Sequence, residues 1–158
     1  MNTDRTGEAL VVRPATSADR EAWVTMRCAL WPEASRLEHE AEVEHYPPEG
    51  VVLVAQVGDG RLVGFAEISI RQQAPGCDTD RIAYVEGWYV EPGRRRRGVG
   101  RALVAAAEAW ARRQSIIEMA SDALLENQTG IDAHLALGFE EVERVVCFRK
   151  KLTREKTA

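Results

Sequence analysis

The sequence predicts an α+β domain in which a central mixed, mostly antiparallel, twisted sheet is flanked by helices. Three observations point there. Val51 to Val57 is a continuous apolar run of strand length, and Gly58-Asp59-Gly60 joins it as a hairpin to Leu62 to Arg71. Ile82 to Val90 is a second apolar run, and the glycine inside it, Gly87, signals a bulge or a close backbone approach. Val99, Leu103, Ala106 and Trp110 then recur at helical spacing, so a strand feeds a helix through an arginine-rich turn.

The remaining elements follow in chain order. Leu10 to Pro14 is a short strand closed by proline. Ser17 is expected to cap a helix with Asp19 and Glu21 in its first turn, whose apolar positions run from Trp23 until Trp31-Pro32 stops it. A second, Glu-rich helix covers Ser35 to about His45 and ends before the loop Tyr46-Pro47-Pro48-Glu49-Gly50. In the strand after the hairpin turn, Val63, Phe65, Ile68 and Ile70 are placed inward and Glu67, Ser69 and Arg71 outward, with a bulge near Ala66 where the phase changes. Gln72 to Asp80 is a polar loop expected over the mouth of the sheet. Ile116 to Ala120 is a short strand ending in Ser121-Asp122. Thr129-x-x-Asp132 resembles a capping box, so 129–137 is expected to be a helix, with Gly138 as its left-handed C-terminal residue. Phe139 to Leu152 is the expected final strand region.

Composition narrows the function classes. One domain suits 158 residues; it is expected over 10–152, with 1–9 and 153–158 as flexible tails. A net charge of -4 with a single Arg-rich turn argues against nucleic acid, whose binders spread cations over a face, and suits a cationic substrate. Cys28, Cys77 and Cys147 are odd in number and in no C-x-x-C spacing, which implies free thiols in a reducing compartment and no metal. Asp4, Arg5 and Glu8 lack an apolar signal core behind them, and no run approaches the ~20 apolar residues of a membrane span. The expected setting is therefore cytoplasmic, without a membrane partner.

The turn Arg94-Arg95-Arg96-Arg97-Gly98-Val99-Gly100-Arg101 carries the chemistry. A strand that turns through glycines into a helix leaves backbone N–H groups unpaired at the positive end of the helix dipole, a place for a phosphate or pyrophosphate. A solvated basic turn is the competing reading. Two phosphate motifs fail: Gly93 and Gly98 have Walker A separation, but Val99-Gly100 follows instead of Lys and a hydroxyl, and Leu103 stands where a dinucleotide fingerprint needs glycine.

Arg95, Gly98 and Gly100 do fit Arg/Gln-x-x-Gly-x-Gly/Ala, which resembles the pyrophosphate loop of the Gcn5-related N-acetyltransferases (GNAT). The order of elements is similar to theirs over nearly the whole chain. Leu30-Trp31-Pro32, Tyr84-Val85-Glu86-Gly87-Trp88-Tyr89-Val90, Met119-Ala120-Ser121-Asp122 and His134-x-Ala-Leu-Gly-Phe look like the aminoglycoside 6′-N-acetyltransferase branch. The resemblance implies a sheet splayed between its fourth and fifth strands, acetyl-coenzyme A as co-substrate, and a homodimer. It also implies acetyl transfer to the 6′-amine of an aminoglycoside by direct attack in a ternary complex. Another small amine or a polyamine is the nearest alternative, and a non-catalytic acyl-coenzyme A module the other.

By that resemblance the pantetheine arm pairs with Trp88, Tyr89 and Val90, and Val90 N–H is the oxyanion donor. The pyrophosphate meets Arg95, Arg96, Arg97, Gly98, Val99, Gly100 and Arg101, and Asn127 contacts the coenzyme. Glu86 and Asp122 are the implied catalytic carboxylates; they also bind substrate with Trp31, Gln73 and Glu143. Simpler readings stand beside these: solvent exposure for Glu86, a cap for Asp122, an arginine partner for Glu143 and core packing for Trp31. Position 134, a tyrosine near the coenzyme sulfur in many members, is His134, either a general acid or a packing residue. Phe148 stands where an aromatic hydroxyl is expected.

Overall fold

The computed structural model describes residues 4, 7–46 and 49–152, so Pro47 and Pro48 of the expected loop and the tail 153–158 lie outside the described residues. Its frame is a sheet in the order β1 (Leu10–Pro14), β2 (Val51–Val57), β3 (Leu62–Arg71), β4 (Ile82–Val90) and β5 (Glu118–Ser121). The first four strands pair antiparallel, whereas β4 and β5 are parallel. Parallel neighbours require a crossover, and α3 (Val99–Arg113) supplies it. Helices α1 (Arg20–Leu30) and α2 (Arg36–Glu44) follow β1, and α4 (Gln128–Ala136) follows β5.

Two cores sandwich the sheet. Val99, Leu103, Ala107 and Ala111 of α3 pack with Val63, Ala66, Ile68 and Ala83 on one face. Trp23 and Met26 of α1 pack with Val52, Val54 and Phe65 on the other. The helical stripe is therefore shifted from the expected one: Val104, Ala107 and Ala111 are buried, while Ala106 and Trp110 lie at its margin.

Because both faces are covered, alternation along β3 does not separate inside from outside. Glu67 and Ser69, expected outward, are 2% and 7% exposed, and only Arg71 reaches solvent. The register shift in the β2–β3 pair skips Val63, since Ala55 faces Gly64 and Gln56 faces Leu62, so the expected bulge near Ala66 is found earlier. A second shift lies in β4: Glu67 faces Gly87 and Ile68 faces Val85, leaving Glu86 as the extra residue. The bulge anticipated at Gly87 thus falls one residue earlier. Gly87 serves the close approach instead, for a Cβ there would lie 2.4 Å from the Trp31 ring.

Caps also differ in detail from the expected ones. Thr16, not Ser17, begins the 3-10 turn before α1 and shares a capping box with Asp19. Asp19 also receives two bonds from Arg13, at 2.7 and 2.9 Å, and that guanidinium holds its carboxyl well below the usual carboxylate range. Ser35 and Glu38 form the capping box of α2. Asn127, rather than Thr129, caps α4, its side chain accepting from Gly130 N–H. Gly138 is left-handed as expected.

Near the N-terminus Asp4 is 5% exposed, and Arg94 pairs with Glu8. The C-terminal segment departs from expectation. Residues 139–152 form no strand, and Val142, Val146, Phe148 and Leu152 are exposed, Phe148 at 94%. A strand exists through its ladder partner. β5, the available edge, spans only four residues.

Candidate active site

β4 and β5 pair only from Ile82/Glu118 to Val85/Ser121; beyond that, Glu86 to Val90 have no neighbour on the β5 side. The sheet is thus split between its fourth and fifth strands, and the split opens toward the arginine turn. Glu91 N–H bonds Val63 O at 2.9 Å across β3. Successive N–H groups along a strand point to opposite sides, so the Val90 N–H faces the split. Trp88 enters from the α3 face, its ring against Gly100 and edge-on to His134, and its buried Nε1 has no partner among the described residues.

At the mouth, Pro92–Arg94 is a 3-10 turn and Gly98 begins α3 with φ +91. Arg96 is left-handed at φ +61, a conformation that costs free energy in a non-glycine residue and often marks a functional turn. The backbone N–H groups of residues 96–101 find no acceptor among the described residues. Arg96, Arg97 and Arg101 make no ion pair among them either, and Arg95 reaches only Val90 O, at 3.0 Å. A Cβ at Gly93 or Gly98 would meet open space. Free donors, unpaired guanidinium groups and an orphaned indole N–H among the described residues fit a diphosphate-bearing ligand.

The other half of the site lies on the α1 face. The Glu86 carboxylate accepts from Ser69 Oγ at 2.5 Å and from Arg71 at 2.8 Å (Nε) and 2.5 Å (Nη2). The Arg71 guanidinium lies 3.5 Å above the Tyr84 ring. Burial, then the charge of Asp122, pushes the Tyr84 phenol up, which puts Asp122 at the same cluster. Trp31 stands beside it, half-buried, stacked on His39 and pressed on Gly87. Both its expected uses, pocket wall and packing, are compatible with that placement.

Not every expected residue joins this cluster. Gln73 is exposed and Glu143 lies in the strandless segment, and neither makes a hydrogen bond or ion pair to Glu86 or Asp122 among the described residues. Tyr89 packs on Phe65, 6.1 Å between centroids, and so contributes backbone rather than side chain to the split. Asn127 spends its Oδ1 on the α4 cap, leaving only its amide N–H groups for a ligand. The end of the loop 72–80 is fixed beside the start of β5, where Glu118 accepts from the backbone of Asp78 and Thr79.

Three features escape sequence reasoning. Ser121 Oγ lies 2.9 Å from His134 Nε2 and 3.2 Å from Val85 O, at the point where the strands part, while His134 Nδ1 bonds Gly130 O at 2.6 Å. Glu67 sits behind Glu86, held by Trp23 Nε1 at 2.7 Å and Arg27 Nη1 at 2.5 Å. Arg71 occupies the acid cluster itself. Ser69 pairs with Tyr84 and Arg71 with Ile82, so Arg71 lies diagonal to the Tyr84 ring, a placement that only the register shows.

A cleft of about 390 Å³ lined by Pro14, Trp23, Tyr46 and Val52 contains neither carboxylate. The split is open to solvent, and chemistry, not enclosure, marks it as the site. Among the described residues no cluster of His, Cys, Asp or Glu could hold a metal ion, and no helix is long and apolar enough to cross a membrane.

Known proteins resemble this chain in sequence and in fold. The chain is 48% identical over 147 residues to an aminoglycoside N(6′)-acetyltransferase type 1 of Klebsiella aerogenes, covering 90% of this chain and 97% of that one. It is 43% identical over 145 residues to the protein of that name from Stenotrophomonas maltophilia, covering 91% and 95%. Among solved structures it matches aminoglycoside N-acetyltransferase AAC(6′)-Iy in complex with CoA at a TM-score of 0.86, 36% identical, over 92% of this chain and 97% of that one. The same enzyme with the bisubstrate analogue CoA-S-monomethyl-acetylneamine matches at 0.85 and 36% identity, over 91% and 99%. The profile of the acetyltransferase (GNAT) family covers residues 19–139, across the split, the arginine turn and the acid cluster; the chain belongs to the GNAT acetyltransferase family.

Proposed function

We propose that this protein is an aminoglycoside 6′-N-acetyltransferase, moving acetyl from acetyl-coenzyme A to the 6′-amine by direct attack in a ternary complex. The observation that carries the reading is the split between β4 and β5, with free donors at its mouth and the carboxylates Glu86 and Asp122 beside its apex. The two relatives and the two structures described above bear that activity in their names.

The coenzyme, when bound, supplies the acetyl thioester. Arg95, Arg96, Arg97 and Arg101, with the N–H groups of 96–101, hold the diphosphate, and Trp88 to Val90 align the arm as an added strand. Val90 N–H donates to the developing oxyanion. An alkylamine with pKa ~10.4 sits about three units above neutrality, so its free base costs roughly 4 kcal/mol. Glu86 takes that proton, directly or through one water, while Asp122 and Trp31 hold the sugar. Asn127 N–H groups lie on the coenzyme side. As the amine lone pair forms the new C–N bond and the C–S bond breaks, the nitrogen would shed its second proton to solvent, and the Ser121–His134 pair would give one to the departing sulfur. Gln73 and Glu143 are peripheral substrate contacts in this scheme.

The test is thiol release from acetyl-coenzyme A with kanamycin-like sugars, spermidine and lysine peptides. Turnover with the sugars is the expected result. Turnover with spermidine alone would transfer the reading to a polyamine enzyme, and coenzyme binding without release to any amine would make the chain an acyl-coenzyme A module.

The protein is also proposed to act as a homodimer. Val142, Val145, Val146, Phe148 and Leu152 are apolar and exposed in one segment, and β5 is a sheet edge. A second copy that pairs there removes both liabilities. Sedimentation equilibrium is expected to give twice the chain mass, and Phe148→Glu to give one; a monomer in the unsubstituted protein overturns this. The three free cysteines accord with a cytoplasmic setting, which cell fractionation checks.

A further inference from the structure

Glu86 and Asp122 are not waiting empty for a substrate amine. The place a cation would take, between carboxylates and over an aromatic face, already contains one of the protein's own. The Arg71 guanidinium lies 3.5 Å above the Tyr84 ring and binds Glu86 through two nitrogens, at 2.8 and 2.5 Å. Ser69 occupies a third direction around that carboxylate at 2.5 Å. This is the composition of an ammonium-binding cage, an aromatic face with acids at its rim, filled from within.

We propose that Arg71 is a specificity-determining residue: its guanidinium holds the ammonium place beside Glu86 in the free enzyme, and an amine enters only by displacing it. The inference rests on the acid cluster being the substrate site, as argued above.

Two contrasts favour displacement over a fixed brace. The other arginine–glutamate pair on this face, Arg27 with Glu67, has side chains 6% and 3% exposed and cannot separate without opening the core. The Arg71 side chain is 43% exposed and that of Glu86 30%. Arg71 is also the last residue of β3, where the chain leaves the sheet, so its side chain swings out without disturbing a ladder. Glu86 is a bulge residue with no cross-strand partner, and Arg71 and Ser69 supply the bonds it otherwise lacks. The hydrogen bonds to Glu86 first, then its charge, with smaller help from Tyr84 and Asp122, hold the guanidinium charged in this place against the cost of burial and set what an incoming amine must exceed.

Selectivity by charge number follows. A monoamine offers one positive charge against a guanidinium already bonded and stacked, and gains little by the exchange. An amine with several ammonium groups keeps one at Glu86 while another meets Asp122, so the exchange becomes favourable.

The test compares Arg71→Gln and Arg71→Lys with the unsubstituted protein. Neamine and 6-amino-6-deoxyglucose are titrated calorimetrically in the presence of desulfo-coenzyme A. For Arg71→Gln the monoamine is expected to bind about fivefold or more tighter while neamine changes less, so the preference between them narrows. Arg71→Lys, which keeps the charge but loses the fork, is expected to fall between. Weaker binding of both amines to Arg71→Gln, or an unchanged preference, overturns the proposal and makes Arg71 a brace for Glu86. Unchanged desulfo-coenzyme A affinity and thermal midpoint verify that the variant is folded. Because these are binding measurements, they decide the role of Arg71 whether or not thiol release occurs, and thiol release alone decides the activity.

Discussion

Glu86→Gln is expected to lower kcat for thiol release by a factor on the order of 10²–10⁴, with a much smaller change in KM. Glutamine keeps the shape and an acceptor for Arg71 and Ser69, so the bulge and the cluster persist, but it cannot take the amine proton near neutral pH. If Glu86 merely anchors an ammonium, the loss appears in KM instead. Asp122→Asn is the matched control: Asp122 neighbours the same cluster through Tyr84 without bonding Glu86, and its loss is expected chiefly in KM. Steady-state kinetics of both variants against neamine check this. A Glu86→Gln kcat within threefold of the original would move the proton transfer elsewhere, with Ser121 and His134 the nearest hydrogen-bonded pair at the apex.

Arg27→Met is expected to destabilise the fold by about 3–5 kcal/mol, because it strands a carboxylate that the core has paired. Glu67 is 2% exposed and takes its bonds from Trp23 and Arg27; Arg27 also pairs with Glu42 and lies 4.7 Å over the Trp31 ring. Burial pushes the Glu67 carboxyl up, and Arg27 opposes that shift. Without Arg27 only the Trp23 hydrogen bond still opposes the upward push. The folded variant then binds a proton that the unfolded chain has released, so its stability falls as pH rises above the ordinary carboxylate range. Its deficit relative to the original should shrink on acidification toward the ordinary carboxylate pKa. Arg27→Met/Glu67→Leu, which removes both charges, is expected to recover most of the loss. Urea unfolding at pH 5 and pH 8 measures both effects, and a double variant no more stable than Arg27→Met would show that packing, not the stranded charge, accounts for the loss.

The sequence by itself determined the elements whose signals are local. Strands β1 to β4 begin and end where apolar runs meet Gly, Pro and Asp; α2 is capped by Ser35 and Glu38; the arginine turn is held by Gly98, whose left-handed geometry needs no distant contact. Only the tertiary structure decided the faces of β3, because α1 and α3 cover both sides and bury Glu67 along with Phe65. It also decided that Glu86 is the bulge residue, that Arg71 shares its carboxylate, and that Ser121 meets His134, since each depends on a register between segments distant in the chain. The strandless 139–152 belongs to the same class: its alternation is written in the chain, but a ladder needs a neighbour, and pairing is a property of two segments rather than one.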